Sequence, residues 1–191
     1  SDRLVGSEMC IRDRIQGVQH AGFFPGSTIG NLEPQAAAAF LDRLGDILGE
    51  GSGLLIGVDL KKDPQVLERA YDDSEGVTAS FNMNLLKRAN RELGADFDLE
   101  KFRHAARYND VEGRVEMHLV SCCAQDVSIG SKTYHFAEGE SIHTENSYKY
   151  TAGEFRLLAR IANWQSAGLW VDDKNYFSVH LLKREAPPLS P

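Results

Sequence analysis

The chain is predicted to be α/β: the C-terminal half of a doubly wound sheet with a reversed final hairpin, interrupted by an inserted α+β domain. Three observations predict this. A strand, an amphipathic helix and a second apolar strand follow one another between residues 15 and 60, an order that implies a parallel crossover. From 63 to 150 the pattern changes to two helices and then short strands set off by Asn109-Asp110, Gly113, Gly130-Ser131 and Gly139. A last amphipathic helix and two strands joined by the polar turn Asp172-Asp173-Lys174-Asn175 return to the first pattern and close the sheet with an antiparallel hairpin at its edge. The expected organisation is 1–14 as a non-native leader, 15–62 with 151–184 as a partial sheet core, 63–150 as the insertion and 185–191 as tail.

With 191 residues the chain can bury a real core. Its formal charge of −7 argues against a nucleic-acid or anionic-membrane surface, both of which are met by clustered Lys and Arg. No apolar run approaches the roughly 20 residues of a membrane-spanning helix, and no charged-then-apolar signal segment opens the chain. A cytoplasmic protein acting on a small molecule, and a monomer, is the expectation. The three cysteines, two of them neighbours at Cys122 and Cys123, form neither a disulfide framework nor a spaced metal site and read as strand residues.

Residues 1–14 carry mixed charge and no usable period, and Leu4 to Asp13 resembles a translated sequencing-library adaptor, so they are set aside from the fold. Ile15 to Phe24 is a predicted strand. The loop Pro25-Gly26-Ser27-Thr28-Ile29-Gly30-Asn31 follows at its carboxyl end, where open α/β sheets place ligands and where glycine lets backbone approach them. An ordinary strand-to-helix turn is the competing reading. Pro34 opens a helix whose apolar residues Ala37, Phe40, Leu41, Leu44, Ile47 and Leu48 run down to Gly49. Leu54 to Leu60 is a short continuous apolar run, as in a strand buried on both faces.

Asp63-Pro64 starts a short helix through Tyr71. Val77 to Leu93 is a longer one, with Phe81, Leu85, Leu86, Ala89 and Leu93 as its expected apolar face and Gly94 as its stop. Asp98 can cap one more turn. Strands are expected at Ala105–Tyr108, Arg114–Ala124, Val127–Ile129, Thr133–Phe136 and Ser141–Tyr150, and Val115-Glu116-Met117-His118-Leu119 alternates clearly. Gly153 to Ala167 is a predicted amphipathic helix with Phe155, Leu158, Ile161, Ala162 and Trp164 facing inward. Leu169–Val171 and Tyr176–Leu182 are the closing strands.

The stretches Gly26-Ser27-Thr28-Ile29-Gly30-Asn31-Leu32, Asp59-Leu60-Lys61-Lys62-Asp63, Ala70-Tyr71-Asp72-Asp73, Thr78-Ala79-Ser80-Phe81-Asn82, Asn90 to Phe97 and Thr144-Glu145-Asn146-Ser147 resemble, in the same order, the histidine-specific Nα-methyltransferases of ergothioneine biosynthesis. The resemblance spans about residues 17 to 182. It implies a Rossmann-like methyltransferase sheet and methyl transfer from S-adenosylmethionine to the α-amine of L-histidine, giving trimethylhistidine. It implies that Asn31 and Tyr71 hold the α-carboxylate and orient the amine, and that Gly26 lies close to the substrate backbone. Glu145 and Ser147 are implied to grip the imidazole, while Phe81 and Met117 wall the pocket beside Thr78. One departure is visible: Ser27 stands where family members often have a second glycine.

No Gly-x-Gly followed by a helix occurs in the chain, so the donor-binding residues are expected in a missing N-terminal half, and the isolated chain is expected to be inactive. N-methylation of another amino acid or an indole derivative, or a binding module without activity, are the alternatives. A carboxylate plus a hydroxyl is a matched reader for imidazole. With no arginine implicated, the substrate carboxylate must be met by neutral donors, and a dedicated base or catalytic residue is not required because methyl transfer needs mainly orientation and desolvation. Each assignment has a plainer reading: Tyr71 as a helix end, Phe81 and Met117 as core, Glu145 as a solvated strand residue. The six histidines have no metal spacing, and no metal is expected.

Overall fold

In the computed structural model residues 19–185 are described, and they divide into two compact units, 19–60 with 150–185 and Lys61–Lys149. The leader at 1–14, the start of the first predicted strand and the tail beyond 185 lie outside them. In chain order the elements are β1 (Ala21–Phe24), α1 (Pro34–Leu48), β2 (Gly53–Asp59), α2 (Pro64–Tyr71), α3 (Val77–Leu93), β3 (Phe102–Asn109) and β4 (Arg114–Ser121). There follow β5 (Gln125–Ile129), β6 (Lys132–Phe136), β7 (Ser141–Tyr148), α4 (Ala152–Ile161), β8 (Trp164–Val171) and β9 (Phe177–Arg184).

The first unit is built on a mixed sheet in the order β1-β2-β9-β8. β1 and β2 are parallel, with Ala21 opposite Gly53 and Phe24 opposite Ile56, whereas β9 runs antiparallel to both of its neighbours. β8 therefore points the same way as β1 and β2, and β9 is the reversed strand. Pro34 at the first turn starts α1 with its φ already set and no amide hydrogen to lose, and Gly49 (φ 90°) ends it. Leu54, Ile56 and Val58 are fully buried with Leu41, Phe155 and Leu182. The other face of β2 is only half-buried at Leu55 and Asp59, so this strand alternates instead of being covered on both sides as its apolar run predicts.

The last helix is shorter than predicted. α4 is opened by a reciprocal capping box, in which Thr151 Oγ1 accepts from Glu154 N and Glu154 Oε2 accepts from Thr151 N, and it ends at Ile161, not Ala167. Asn163, at φ 58°, turns the chain so that Trp164 begins β8. Trp164 is 1% exposed and donates Nε1–H to the Leu41 carbonyl at 2.8 Å. Helical spacing of apolar residues could not reveal that β9 captures residues 164–171, from Trp164 opposite Arg184 to Val171 opposite Ser178, with a register shift between Ser166 and Gly168.

In the second unit the predicted meander separates into an antiparallel sheet, β3-β4-β7, and a two-stranded ribbon, β5-β6. Asp63 caps α2 by accepting from Gln65 N, and Gly94 (φ 62°) ends α3. The core is Leu86, Phe97, Phe102, Leu119 and Val127, with Phe97, Phe102 and Phe136 in edge and tilted ring contacts. The face of α3 differs from the predicted one: Phe81, Leu85 and Leu93 are exposed, and the buried residues are Asn82 and Leu86. Cys122 and Cys123 lie just past the end of β4 in a bend, not in the strand.

Candidate functional site

Sheet register puts Glu145 and Ser147 on one face. Met117 of β4 lies opposite Glu145 and Val115 opposite Ser147, so these four side chains project to the same side, with a register shift just beyond Met117. Met117 and Ser147 are buried at 4% exposure each, and Glu145 is half-buried. Thr144, the residue between the shifted pairs, donates its hydroxyl to the Met117 carbonyl at 2.9 Å and fixes the strand there.

Tyr71, at the last turn of α2, reaches this face. Its hydroxyl oxygen lies 2.8 Å from Ser147 Oγ. Lys149 Nζ donates to both oxygens, at 2.7 Å to Tyr71 and 2.8 Å to Ser147, and sits 4.7 Å from the centre of the tyrosine ring. This lysine is 2% exposed. The sequence reading missed it, although strand alternation from Glu145 through Ser147 marks position 149 as the next residue on that face. The Lys149 amino group stands behind the two neutral hydroxyls that this face offers.

Behind Tyr71 stands a buried polar relay. Asn82 Nδ2 donates to the His118 carbonyl at 3.2 Å and to His104 Nδ1 at 2.9 Å. With Nδ1 accepting, His104 carries its proton on Nε2 and donates it to the Tyr71 carbonyl at 2.8 Å. The buried amide explains why α3 turns Asn82 inward instead of Phe81. Asp73 closes the α2–α3 turn: its carboxylate accepts from the amides of Val77 and Thr78, both at 2.9 Å, and those bonds, Thr78 first, lower its pKa to about 2. Thr78 is thereby fixed at the start of α3.

In the first unit, the loop after β1 carries Gly26 (φ 74°) and Ser27 (φ 58°), both left-handed, before a 3₁₀ turn over Thr28–Asn31. Ser27 thus adopts the conformation a second glycine would, and its Oγ accepts from Asp59 N at the end of β2 at 2.8 Å. A Cβ at Gly26 would meet nothing within 4 Å, whereas one at Gly57 would strike the Phe177 ring and approach Gly26 N. Open space beside the Gly26 backbone fits close approach by a ligand. Asn31 is exposed at the end of the turn.

The opposite face of β4 gathers Glu116, His118 and His143, with ligand atoms within 4.8 Å of one another. Burial raises the Glu116 pKa, but hydrogen bonds from Arg114, Asn109 and His118 outweigh it and leave the value at about 2. Burial pushes His118 below its ordinary range, and His143 and Arg107 add to this. The imidazoles of His118 and His143 are stacked at 4.7 Å with planes 20° apart. Parallel rings carry their lone pairs side by side, not toward one ion, so the arrangement suits a hydrogen-bonded brace.

A family model described as histidine-specific, S-adenosylmethionine-dependent methyltransferase matches residues 9–184. The chain belongs to this family. It is 46% identical over 183 residues to the histidine N-alpha-methyltransferase of Mycolicibacterium smegmatis, covering 90% of this chain and 56% of that protein. It is 46% identical over 165 residues to the enzyme of the same name from Mycobacterium tuberculosis, covering 83% and 50%. Ergothioneine biosynthesis protein 1 of Neurospora crassa is 31% identical over 161 residues, which are 83% of this chain and 18% of that one. The chain spans about half the length of the two mycobacterial relatives.

The sequence-predicted site residues of this family member fall into two groups. Tyr71, Met117, Glu145 and Ser147 are brought to one sheet face of the second unit, and Thr78 is anchored by Asp73 in the same unit. Phe81, 67% exposed, is not a core residue. Gly26 and Asn31 belong to the first unit, after β1. The mixed sheet with one reversed strand is the Rossmann-like methyltransferase arrangement that the resemblance implies.

Proposed function

We propose that the protein methylates the α-amino group of L-histidine with S-adenosylmethionine, to N,N,N-trimethylhistidine, the first step of ergothioneine biosynthesis. The observation that carries this reading is the pairing of Glu145 with the Ser147 hydroxyl on one face beside Met117 and Tyr71. An imidazole N–H fits the carboxylate and the second ring nitrogen fits a hydroxyl. Tyr71 and Asn31 are assigned to the substrate's carboxylate and amine, Gly26 to close approach along its backbone, and Thr78, Phe81 and Met117 to the pocket wall.

The donor supplies an electrophilic sulfonium methyl. The transfer needs a neutral amine held in line with that methyl and shielded from water, and orienting the amine is the role assigned to Asn31 and Tyr71. No metal is assigned a role. The loop at Gly26 offers room for the donor or the reacting nitrogen, but donor-binding residues are assigned outside this chain, which is proposed to bind S-adenosylmethionine weakly and to turn over negligibly by itself.

Calorimetric titration of this chain with L-histidine, L-tryptophan and S-adenosylmethionine tests the reading. Histidine should bind in preference to tryptophan, and Glu145→Ala should weaken histidine by about tenfold or more, the equivalent of a lost charged hydrogen bond. Unchanged histidine affinity in Glu145→Ala overturns the imidazole assignment. Robust trimethylation by this chain alone overturns the assignment of donor binding elsewhere.

A further inference from the structure

The three polar atoms Lys149 Nζ, Tyr71 Oη and Ser147 Oγ form a nearly equilateral triangle with sides of 2.7, 2.8 and 2.8 Å. An ammonium has donors only, whereas each hydroxyl has one donor and two acceptor positions. Both oxygens must therefore accept from Lys149. The third side of the triangle consumes one hydroxyl proton, from either Tyr71 or Ser147. One hydroxyl proton is then left over, and the triangle has no place for it inside, because the only other member is a donor. Whichever way the Tyr71–Ser147 bond runs, the group offers one O–H outward, next to a positive charge that is 2% exposed.

We propose that Lys149 is a positioning and specificity-determining residue: by filling one acceptor position on each oxygen it leaves the Tyr71–Ser147 pair one outward O–H and a single acceptor position instead of three, and so biases the pair toward donating to its ligand. The inference rests on the proposed reading of this face as a histidine site. It narrows that reading. The favoured ligand presents an acceptor atom, either a carboxylate oxygen or the unprotonated nitrogen of a neutral imidazole, while a cationic ring is disfavoured by the ammonium. Glu145, on the same face two residues before Ser147, is left to accept the N–H of that neutral ring. A neutral residue at 149 would free the hydroxyls to rotate and would open two more acceptor positions, removing the bias toward donation.

The test is calorimetry on this chain with L-histidine and with histamine, which lacks the carboxylate, using Lys149→Met, Tyr71→Phe and the double variant, each first checked by thermal unfolding. Lys149→Met keeps the buried methylenes and removes the charge; it should weaken histidine about tenfold or more, the worth of a charged hydrogen bond. In the Tyr71→Phe background the same change should cost only about threefold or less, because residues that act through one another are not additive. Loss with histidine alone places the acceptor at the carboxylate, and loss with both ligands places it at the ring. Histidine affinity unchanged in Lys149→Met, or effects of the two substitutions that simply multiply, overturns the proposal. If the methionine variant does not fold, Lys149→Gln is read by the same criteria. Absence of histidine binding by the unaltered chain overturns the functional reading and this inference with it; binding by the unaltered chain with no effect at 149 overturns this inference alone.

Discussion

Ser27 takes a left-handed conformation that favours glycine, and its side chain compensates for the backbone it must adopt. A left-handed non-glycine residue costs of order 1 kcal/mol or more, and a side-chain hydrogen bond returns a comparable amount. Here that bond runs from Asp59 N to Ser27 Oγ and ties the loop after β1 to the end of β2. Ser27→Ala keeps the Cβ and loses the acceptor, and should lower stability by about 1 kcal/mol, read from the urea midpoint. Ser27→Gly loses both the bond and the strain and should be close to neutral. Equal losses in the two variants would show that φ at this position contributes nothing. The loop's glycine and polar pattern was legible because turn chemistry is local. The role of Ser27 Oγ was not, since its partner lies 32 residues away.

At the scale of elements, α1 and α3 begin and end where Pro34, Gly49 and Gly94 predict, because caps act within a turn of the residues that carry them. The phase of α3 could not be read the same way. Counting apolar residues favours the stripe through Phe81 and Leu85, but the buried stripe includes a polar residue, Asn82, whose amide is satisfied by His104 and the His118 carbonyl. Those partners lie on β3 and β4, and no helical period reports them. The start of α3 is held by Asp73, so Asp73→Ala should speed hydrogen exchange of the Val77 and Thr78 amides about fivefold, as for a lost helix cap. Exchange at Leu86 should change less. Equal acceleration along the whole helix would mean that Asp73 supports global stability and not the first turn.

Across the whole molecule, buried histidine makes stability fall on the acid side of neutrality. His180 is fully buried, and its Nε2 lies 3.0 Å from Ser178 Oγ, whose own proton goes to the Val58 carbonyl. Burial, helped by Arg156, lowers its pKa from 6.5 to about 4. The unfolded chain therefore binds a proton that the folded chain refuses. This contribution is complete above pH 6.5 and is lost as pH falls from about 6.5 to about 4, for a total of about 3 kcal/mol. His118, also lowered by burial, acts in the same direction. Urea midpoints measured across this window should decline with acid, and His180→Leu should flatten the decline; an unchanged slope in that variant would assign it elsewhere.

By itself the sequence determined the order and type of nearly every element, the reversed closing strand and the family, since period, caps and motif order are carried by neighbouring residues. Tertiary structure decided which faces meet. It ended α4 at Ile161 because β9 pairs with Trp164 onward, and it brought Tyr71 to Ser147 and Lys149 across 76 and 78 residues. Strand alternation can put Lys149 on a face, but only the packing of α2 over that face could set a tyrosine hydroxyl within hydrogen-bonding distance of its ammonium.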